Sequence, residues 1–353
     1  MRTFYNTLLL FTLATTLAFA QEKSPSVNYE LVQVQDSIYM LKGRGGNIGV
    51  SFGEDGILMI DDQFANGTPA ILNKLRTLSD KPVKFLINTH HHGDHTGGNE
   101  NMAEKGATII AHENVRKRLI KPTQAVKKTT KAQDLADTGV SPPKETVVDT
   151  LTEEQKYRQK QIARKRARGN LKKGAPEGAL PVLTFPTDLK MYHNGEEIML
   201  LHISNSHTDG DAIVYFTNSN VIHTGDAFIA GKYPFIDVRS GGSLNGYIRG
   251  LDRIIMMCDA KTKIIPGHGP VAKVADVKSI KSLLVFLRDR ITFHIVNGKT
   301  KEEIIAMTDM TKTYDDQGYG DGFISKESLI ANMHSIIMRN SGEKLKARAK
   351  GKD

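Results

Sequence analysis

Between Asn88 and Asn99 the chain reads NTHHHGDHTGGN, which places His90, His91, His92, Asp94 and His95 within six positions. Side chains alternate along an extended segment, so His90 and His92 point one way and His91 the other. Gly93 tolerates the turn that brings Asp94 and His95 round. Two imidazoles on one side, with an aspartate and a further imidazole beside them, suit a borderline divalent ion. Zinc is the first expectation, with iron or manganese as alternatives. Three more metal-capable residues recur downstream, at places where strands are expected to end next to Gly or small residues: His207 in SNSHTDGD, Asp226 in VIHTGDAF and His268 in IIPGHGPV. Cys258 is the only cysteine, so the chain has no internal disulfide and no thiolate cluster, and its metal ligands must be His, Asp or Glu. In the helical stretch LDRIIMMCDAK, Cys258 reads as a small packing residue.

The elements that must position these residues are legible from hydropathy. YELVQV, SIYMLKG, NIGVSF and GILMID read as successive strands separated by turn residues. TPAILNKLRTLSD has helical spacing, with Thr68 as the expected N-cap and Pro69 at the first helical position. VKFLINT is a buried-type strand, and GATIIAHENVRKRL runs from strand into helix. LPVLTF, DLKMYHN, EEIMLLHIS, DAIVYFTN and NVIHTGD restore the strand rhythm. The helical LNGYIRGLDRIIMMC, the strand TKIIPG and a helical C-terminal part over 274–340 follow, then a basic tail over 341–353. The order implies an α/β chain, a two-sheet core with helices outside, compatible with a four-layer αββα sandwich.

Arg2, an apolar run from about Leu8 and the ending Ala18-Phe19-Ala20 read as a cleaved export signal over residues 1–20. The expected product is periplasmic or secreted, with no stable membrane anchor after cleavage. The net charge of +9 is concentrated: Arg116 to Leu180 holds 17 Lys and Arg against 7 Asp and Glu. This basic insert, 121–181, interrupts the strand rhythm and contains Thr152 and Gln155 at capping-box spacing. It reads as a solvated excursion, or as an arm that attracts anions. Aromatics are not interleaved with the charge, so no nucleic-acid partner is expected.

In its motifs the chain resembles the metallo-β-lactamase superfamily, over nearly the whole length after the signal. His90, His92, Asp94 and His95 match the family's HxHxDH motif, and His207, Asp226 and His268 match its later ligands. The resemblance implies the αββα fold, as one domain over 21–340, and a site for two divalent ions. One ion would be held by His90, His92 and His207, the other by Asp94, His95 and His268, with Asp226 bridging. A pair of such ions supplies hydroxide near neutral pH, which attacks a carbonyl carbon, and Asp94 is the expected orienting catalytic residue.

An aspartate at 226, rather than a cysteine, departs from the familiar lactamase patterns and matches the broader hydrolases of the family. The expectation is an exported hydrolase of cyclic amides or esters, of β-lactam or lactone type, acting on a small and possibly anionic molecule. A glyoxalase-II-like thioester hydrolase is the alternative. An iron-dependent redox enzyme of the same fold is the third, and His92 argues against its flavin-linked branch, which has glutamate there. In GKYPFIDVRSGGS, Lys232, Tyr233 and Arg239 are candidate substrate contacts. Asp61 and Asp62 are candidate acceptors behind a ligand histidine. His91 is expected to face away from the ions, and His112, His193, His202, His223, His294 and His334 are read as structural or surface residues.

Overall fold

Short strands rich in Ile, Val, Leu and Met build two sheets among the residues that a computed structural model describes: 28–120, 174–307 and 309–349. The expected signal, the Thr152–Gln155 box and most of the basic insert lie outside the described residues. The first sheet runs in chain order: β1 (Glu30–Gln35), β2 (Ile38–Lys42), β3 (Ile48–Gly53), β4 (Gly56–Ile60), β5 (Val83–Asn88), β6 (Thr108–His112) and β7 (Leu183–Phe185). Its first four strands are antiparallel, and β4 to β7 are parallel. The second sheet contains β8 (Asp188–His193), β9 (Glu196–His202), β10 (Ala212–Phe216), β11 (Val221–His223) and β12 (Lys263–Ile265). There β8 to β11 alternate in direction, and β12 lies parallel to β11.

Burial on both faces explains the unbroken apolar runs. Every residue of β4, GILMI, is buried. Leu58 and Ile60 face the second sheet with Ile87 and Ile110, meeting Leu200, Val214 and Phe216. Ile57 and Met59 face outward and pack with Ile71, Leu75 and Met102. Those outer residues belong to α1 (Thr68–Leu75) and, after the short α2 (Gly93–Thr96), to α3 (Asn99–Glu104). The strand β6 runs directly into α4 (Glu113–Ile120), as expected. The second sheet's outer face is covered by α5 (Leu244–Met257), α6 (Val274–Val296), α7 (Lys301–Ile305) and, after α8 (Lys312–Asp315), by α9 (Lys326–Ala349). The layers are therefore helices, sheet, sheet, helices, the expected αββα sandwich.

Two local expectations need correction. Thr68 does not cap α1: a 3₁₀ turn at Ala65–Gly67 runs straight into the helix, and Gly67 is the N-cap. The Thr68 hydroxyl accepts instead from Asn101 Nδ2 at 3.1 Å. The last part of the predicted insert is packed rather than solvated. Ala175 N donates to Leu119 O at 2.8 Å, and Ala179 and Leu180 are buried.

Helix α5 fixes the turn that carries His207. Its apolar face, with Leu244, Tyr247, Ile248, Leu251 and Ile254 buried, follows helical spacing onto the second sheet. Ser243 caps it, its Oγ accepting from Gly246 N at 3.0 Å. The close approach depends on Gly246, where a Cβ would overlap the carbonyl oxygen of Asn205. In an open helix, Gly→Ala stabilises by about 1 kcal/mol. Here a backbone oxygen blocks the added methyl, so Gly246→Ala is expected to destabilise by about 1–3 kcal/mol instead. Chemical denaturation measures the sign.

Candidate metal centre

Parallel pairing brings the carboxyl ends of β4 and β5 to one edge, where Ile60 lies opposite Ile87. In the second sheet the carboxyl ends of β9, β11 and β12 reach the same site. The loops after β5, β9, β11 and β12 carry His90 to His95, His207, Asp226 and His268 respectively. Sequence separations of over a hundred residues thus collapse into one cluster. His90, His92, His207 and Asp226 offer ligand atoms within 4.8 Å of one another, as do Asp94, His95 and His268.

The outer hydrogen bonds decide which nitrogen of each ring faces the centre. His207 Nδ1 lies 2.8 Å from Phe235 O, a carbonyl that only accepts, so Nδ1 carries the proton and Nε2 is bare. His92 Nε2 lies 3.0 Å from Asp237 Oδ2, so Nε2 carries the proton and Nδ1 is bare. The Thr89 hydroxyl donates to Asp61 Oδ2 at 2.7 Å and accepts from His90 Nδ1 at 3.1 Å, leaving His90 Nε2 bare. These bare nitrogens face each other: His92 Nδ1 is 3.1 Å from His90 Nε2 and 2.9 Å from His207 Nε2. Converging lone pairs repel unless a metal ion lies among them or His92, whose charged form the Asp237 carboxylate favours against burial, takes up a second proton. The donor set therefore fits a divalent metal ion.

At the other end, His95 Nδ1 donates to Asp61 Oδ2 at 2.7 Å, and its Nε2 faces His268 Nε2 at 3.4 Å. Asp94 Oδ2 is 3.3 Å from His268 Nε2 and 3.6 Å from His95 Nε2. Asp226 divides its two oxygens between the groups. Oδ1 lies 3.3 Å from His95 Nε2 and 3.4 Å from His268 Nε2, while Oδ2 is 3.6 Å from His207 Nε2 and 4.0 Å from His90 Nε2. Oδ1 is buried without a hydrogen-bond partner. Gly267 permits the approach, because a Cβ there would overlap Asp226 Oδ1.

Burial and charge divide the histidines. Burial drives His90 well below its ordinary range and takes His207 down to about 4, so both are neutral lone-pair donors. Burial opposes the charge on His268, yet the Asp226 and Asp94 carboxylates hold it up at about 10. Burial likewise opposes the charge on Asp94, but His95 and His268 pull it down to about 2. A cation at the Asp94, His95 and His268 end therefore competes with protons, whereas the His90 and His207 nitrogens are already neutral.

The structure brings all seven expected ligands together and sorts the remaining candidates. Asp61 stands behind His95 and Thr89, as expected of an orienting acceptor. Asp62 does not orient a histidine: one residue on, it points the other way and accepts from Gly98 N at 2.9 Å. Tyr233 is not exposed to a substrate. Its ring is buried and its hydroxyl donates to Asp315 Oδ1 at 2.7 Å. Lys232 Nζ donates to Gly318 O at 2.9 Å, so it too is directed to the C-terminal part. Arg239 sits in the turn capped by Asp237, whose Oδ1 accepts from Arg239 N at 3.0 Å. His91 belongs to neither ligand group, and its Nε2 lies 3.2 Å from Ser240 Oγ. Its ring nonetheless stays 4.7 Å from that of His92, and it forms a third metal-capable grouping with His92 and Asp237. Cys258 is half-buried and its thiol is pushed up to about 11 by burial, consistent with an inert packing role.

Sequence reasoning missed Asp237, Phe235 and Asn47. Asn47 is buried in the loop before β3, and its Nδ2 donates to Pro266 O and Gly269 O, both at 2.9 Å. Its backbone N donates to Gly267 O at 2.7 Å. One residue thus grips the chain on both sides of His268. The only available signal was a buried-type amide among glycines in GRGGN, which carries no indication of its distant partner.

Residues 41–268 match the model of the metallo-beta-lactamase superfamily, and the chain belongs to that superfamily. The match ends at His268, so the helical C-terminal part lies beyond it. A 48-residue stretch is 42% identical to the hydroxyacylglutathione hydrolase of Pelagibacter ubique, covering 13% of this chain and 20% of that relative. The chain thus spans a small part of the curated relative it matches. Among solved structures, the stereoselective inverting sec-alkylsulfatase Pisa1 from Pseudomonas sp. is similar at a TM-score of 0.61 and 16% identity, over 87% of this chain and 50% of that one. A metallo-beta-lactamase from Pontibacter korlensis is similar at a TM-score of 0.49 and 16% identity, over 73% of this chain and 99% of the other.

The grip on His268 gives a selective expectation. Asn47→Asp sets acceptors against Pro266 O and Gly269 O in place of donors. It should weaken ion binding at Asp94, His95 and His268 by about 10–100-fold, the usual effect of losing an outer partner. Binding at His90, His92 and His207 should hardly change. Titration of Asn47→Asp and of the unaltered protein with zinc against a competing chelator separates the two steps.

Proposed function

We propose that this superfamily hydrolase binds two divalent ions, zinc first, and opens a carbonyl bond of a cyclic amide or ester outside the cytoplasm. The observation that carries the reading is Asp226, whose two oxygens face separate groups of histidines. A single buried carboxylate divided in this way suits two cations and has little use with one. His90, His92 and His207 would hold one ion, and Asp94, His95 and His268 the other. When bound, such ions supply hydroxide at neutral pH and stabilise the oxyanion.

The chain's own residues prepare that chemistry. Asp61 and Asp237 lock the ring tautomers before any ligand arrives. Asp94, ionised and 19% exposed at its side chain, is able to accept a hydrogen bond from the attacking water. Tyr247 donates to Asp226 O at 3.0 Å and fixes the carboxylate's backbone. Export is supported by the signal-like residues 1–20, and it suits a xenobiotic or envelope-derived substrate better than a cytosolic thioester. Thioester hydrolysis is the second reading, supported by the short match to the hydroxyacylglutathione hydrolase.

Elemental analysis of the purified protein should find two divalent ions per chain, removable by chelation together with hydrolysis of lactones or β-lactams. Asp226→Asn should lose at least one ion and more than about a hundredfold in turnover. Unchanged turnover would overturn the bridging role, and activity on thioesters alone would reverse the order of substrates.

A further inference from the structure

The loop after Asp226 was expected to present polar contacts to substrate, and the structure gives it a different use. Lys232 and Tyr233 turn away to hold the C-terminal part, through Gly318 O at 2.9 Å and Asp315 Oδ1 at 2.7 Å. Tyr233 N also donates to Tyr319 O at 3.2 Å, and the two rings lie 5.8 Å apart. Residues 315–323 are therefore strapped along residues 232–235. The strap delivers Phe323 onto Phe235, with ring centroids 6.0 Å apart and planes at 83°. Phe235 in turn stands 5.9 Å from the ring of His207, and its carbonyl accepts from that ring.

The result is a pair of aromatic rings that begins at a metal-facing histidine and ends at the surface. Phe323 remains 50% exposed although its neighbours on the strap are tied down. Aromatic pairs in edge-to-face contact are rigid and present a fixed apolar surface. Apolar surface beside a polar centre is the usual make-up of a small-molecule site, in which a few polar groups fix orientation and the apolar lining provides affinity.

We infer that Phe235 and Phe323 form the wall of the substrate site at its His207 end, and that the substrate carries an apolar chain next to the carbonyl that is attacked. The inference rests on the hydrolase reading, whose substrate it narrows to acyl compounds with hydrophobic side groups. Phe323 is the specificity-determining residue, since Phe235 also orients His207 through its backbone. The C-terminal part, beyond the residues matched to the superfamily, thereby sets what the site accepts.

A series of straight-chain alkyl hydroxamic acids, from acetohydroxamic to octanohydroxamic acid, tests the wall on the zinc-loaded protein without requiring turnover. The hydroxamate head engages metal ions, and the alkyl chain probes the surface beside them. In the unaltered protein, calorimetry should show affinity rising by roughly three- to fourfold for each methylene that reaches the wall. Phe323→Ala should flatten that rise while leaving acetohydroxamate affinity and zinc content unchanged, and Phe323→Leu should retain most of it. A flat series in the unaltered protein, an equal slope in Phe323→Ala, or no binding of acetohydroxamate would overturn the proposal. So would a change of sedimentation on Phe323→Ala, which would make the residue an interface between copies. A chain-length dependence without hydrolysis of any ester or amide would leave the wall standing and overturn the hydrolase reading alone.

Discussion

The site depends on a geometric frustration: bare ring nitrogens of His90, His92 and His207 are aimed at each other across about 3 Å. His90 and His207 cannot relieve the repulsion, because burial keeps both neutral and each already donates outward, to Thr89 or Phe235 O. His92 donates to Asp237, whose charge favours a second proton on the ring against burial, so there a proton competes with the metal. A metal cation satisfies all three at once. The acceptors behind the rings are as important as the rings, because a ring free to turn would relax the conflict and lose the site.

The fold exists, in this respect, to hold rings that repel. Two sheets packed through Leu58, Ile60, Leu200, Val214 and Phe216 provide a rigid edge from which short loops depart. Each loop is then tied back: Asp61 to Thr89 and His95, Asn47 to both sides of His268, and Tyr247 to the backbone of Asp226. Buried Asp61 and Asp237 are costly to desolvate, and their return is orientation rather than stability. Such positions are where local rules of folding are broken in favour of function. Asp61 adopts a positive φ of 62°, a left-handed conformation that aspartate tolerates better than most residues, at the point where it turns toward the histidines.

Much of this was legible in the sequence. The HxHxDH spacing and three later ligands at strand ends carried the family resemblance that implied the αββα sandwich and the seven ligands, and the two-period apolar runs were compatible with that fold. What was hidden has a common physical cause, namely partners far apart in the chain. Asp237 supports a histidine 145 positions away, and Asn47 grips a loop 219 positions away. Asp61 and Asp62 looked equivalent, but alternation along the backbone sends one to His95 and the other to Gly98. Lys232 and Tyr233 looked like substrate contacts because their chemistry suits that role, whereas the C-terminal part that claims them has no local signal in their loop.

Histidine-selective nitrogen NMR of the zinc-loaded protein tests the central claim most directly, because it reads which nitrogen of each ring carries a proton. The expected result is a proton on Nε2 for His92 and on Nδ1 for His90, His95 and His207, with each opposite nitrogen shifted by metal. A proton on Nδ1 of His92, or no metal-induced shift at the bare nitrogens, would contradict the account.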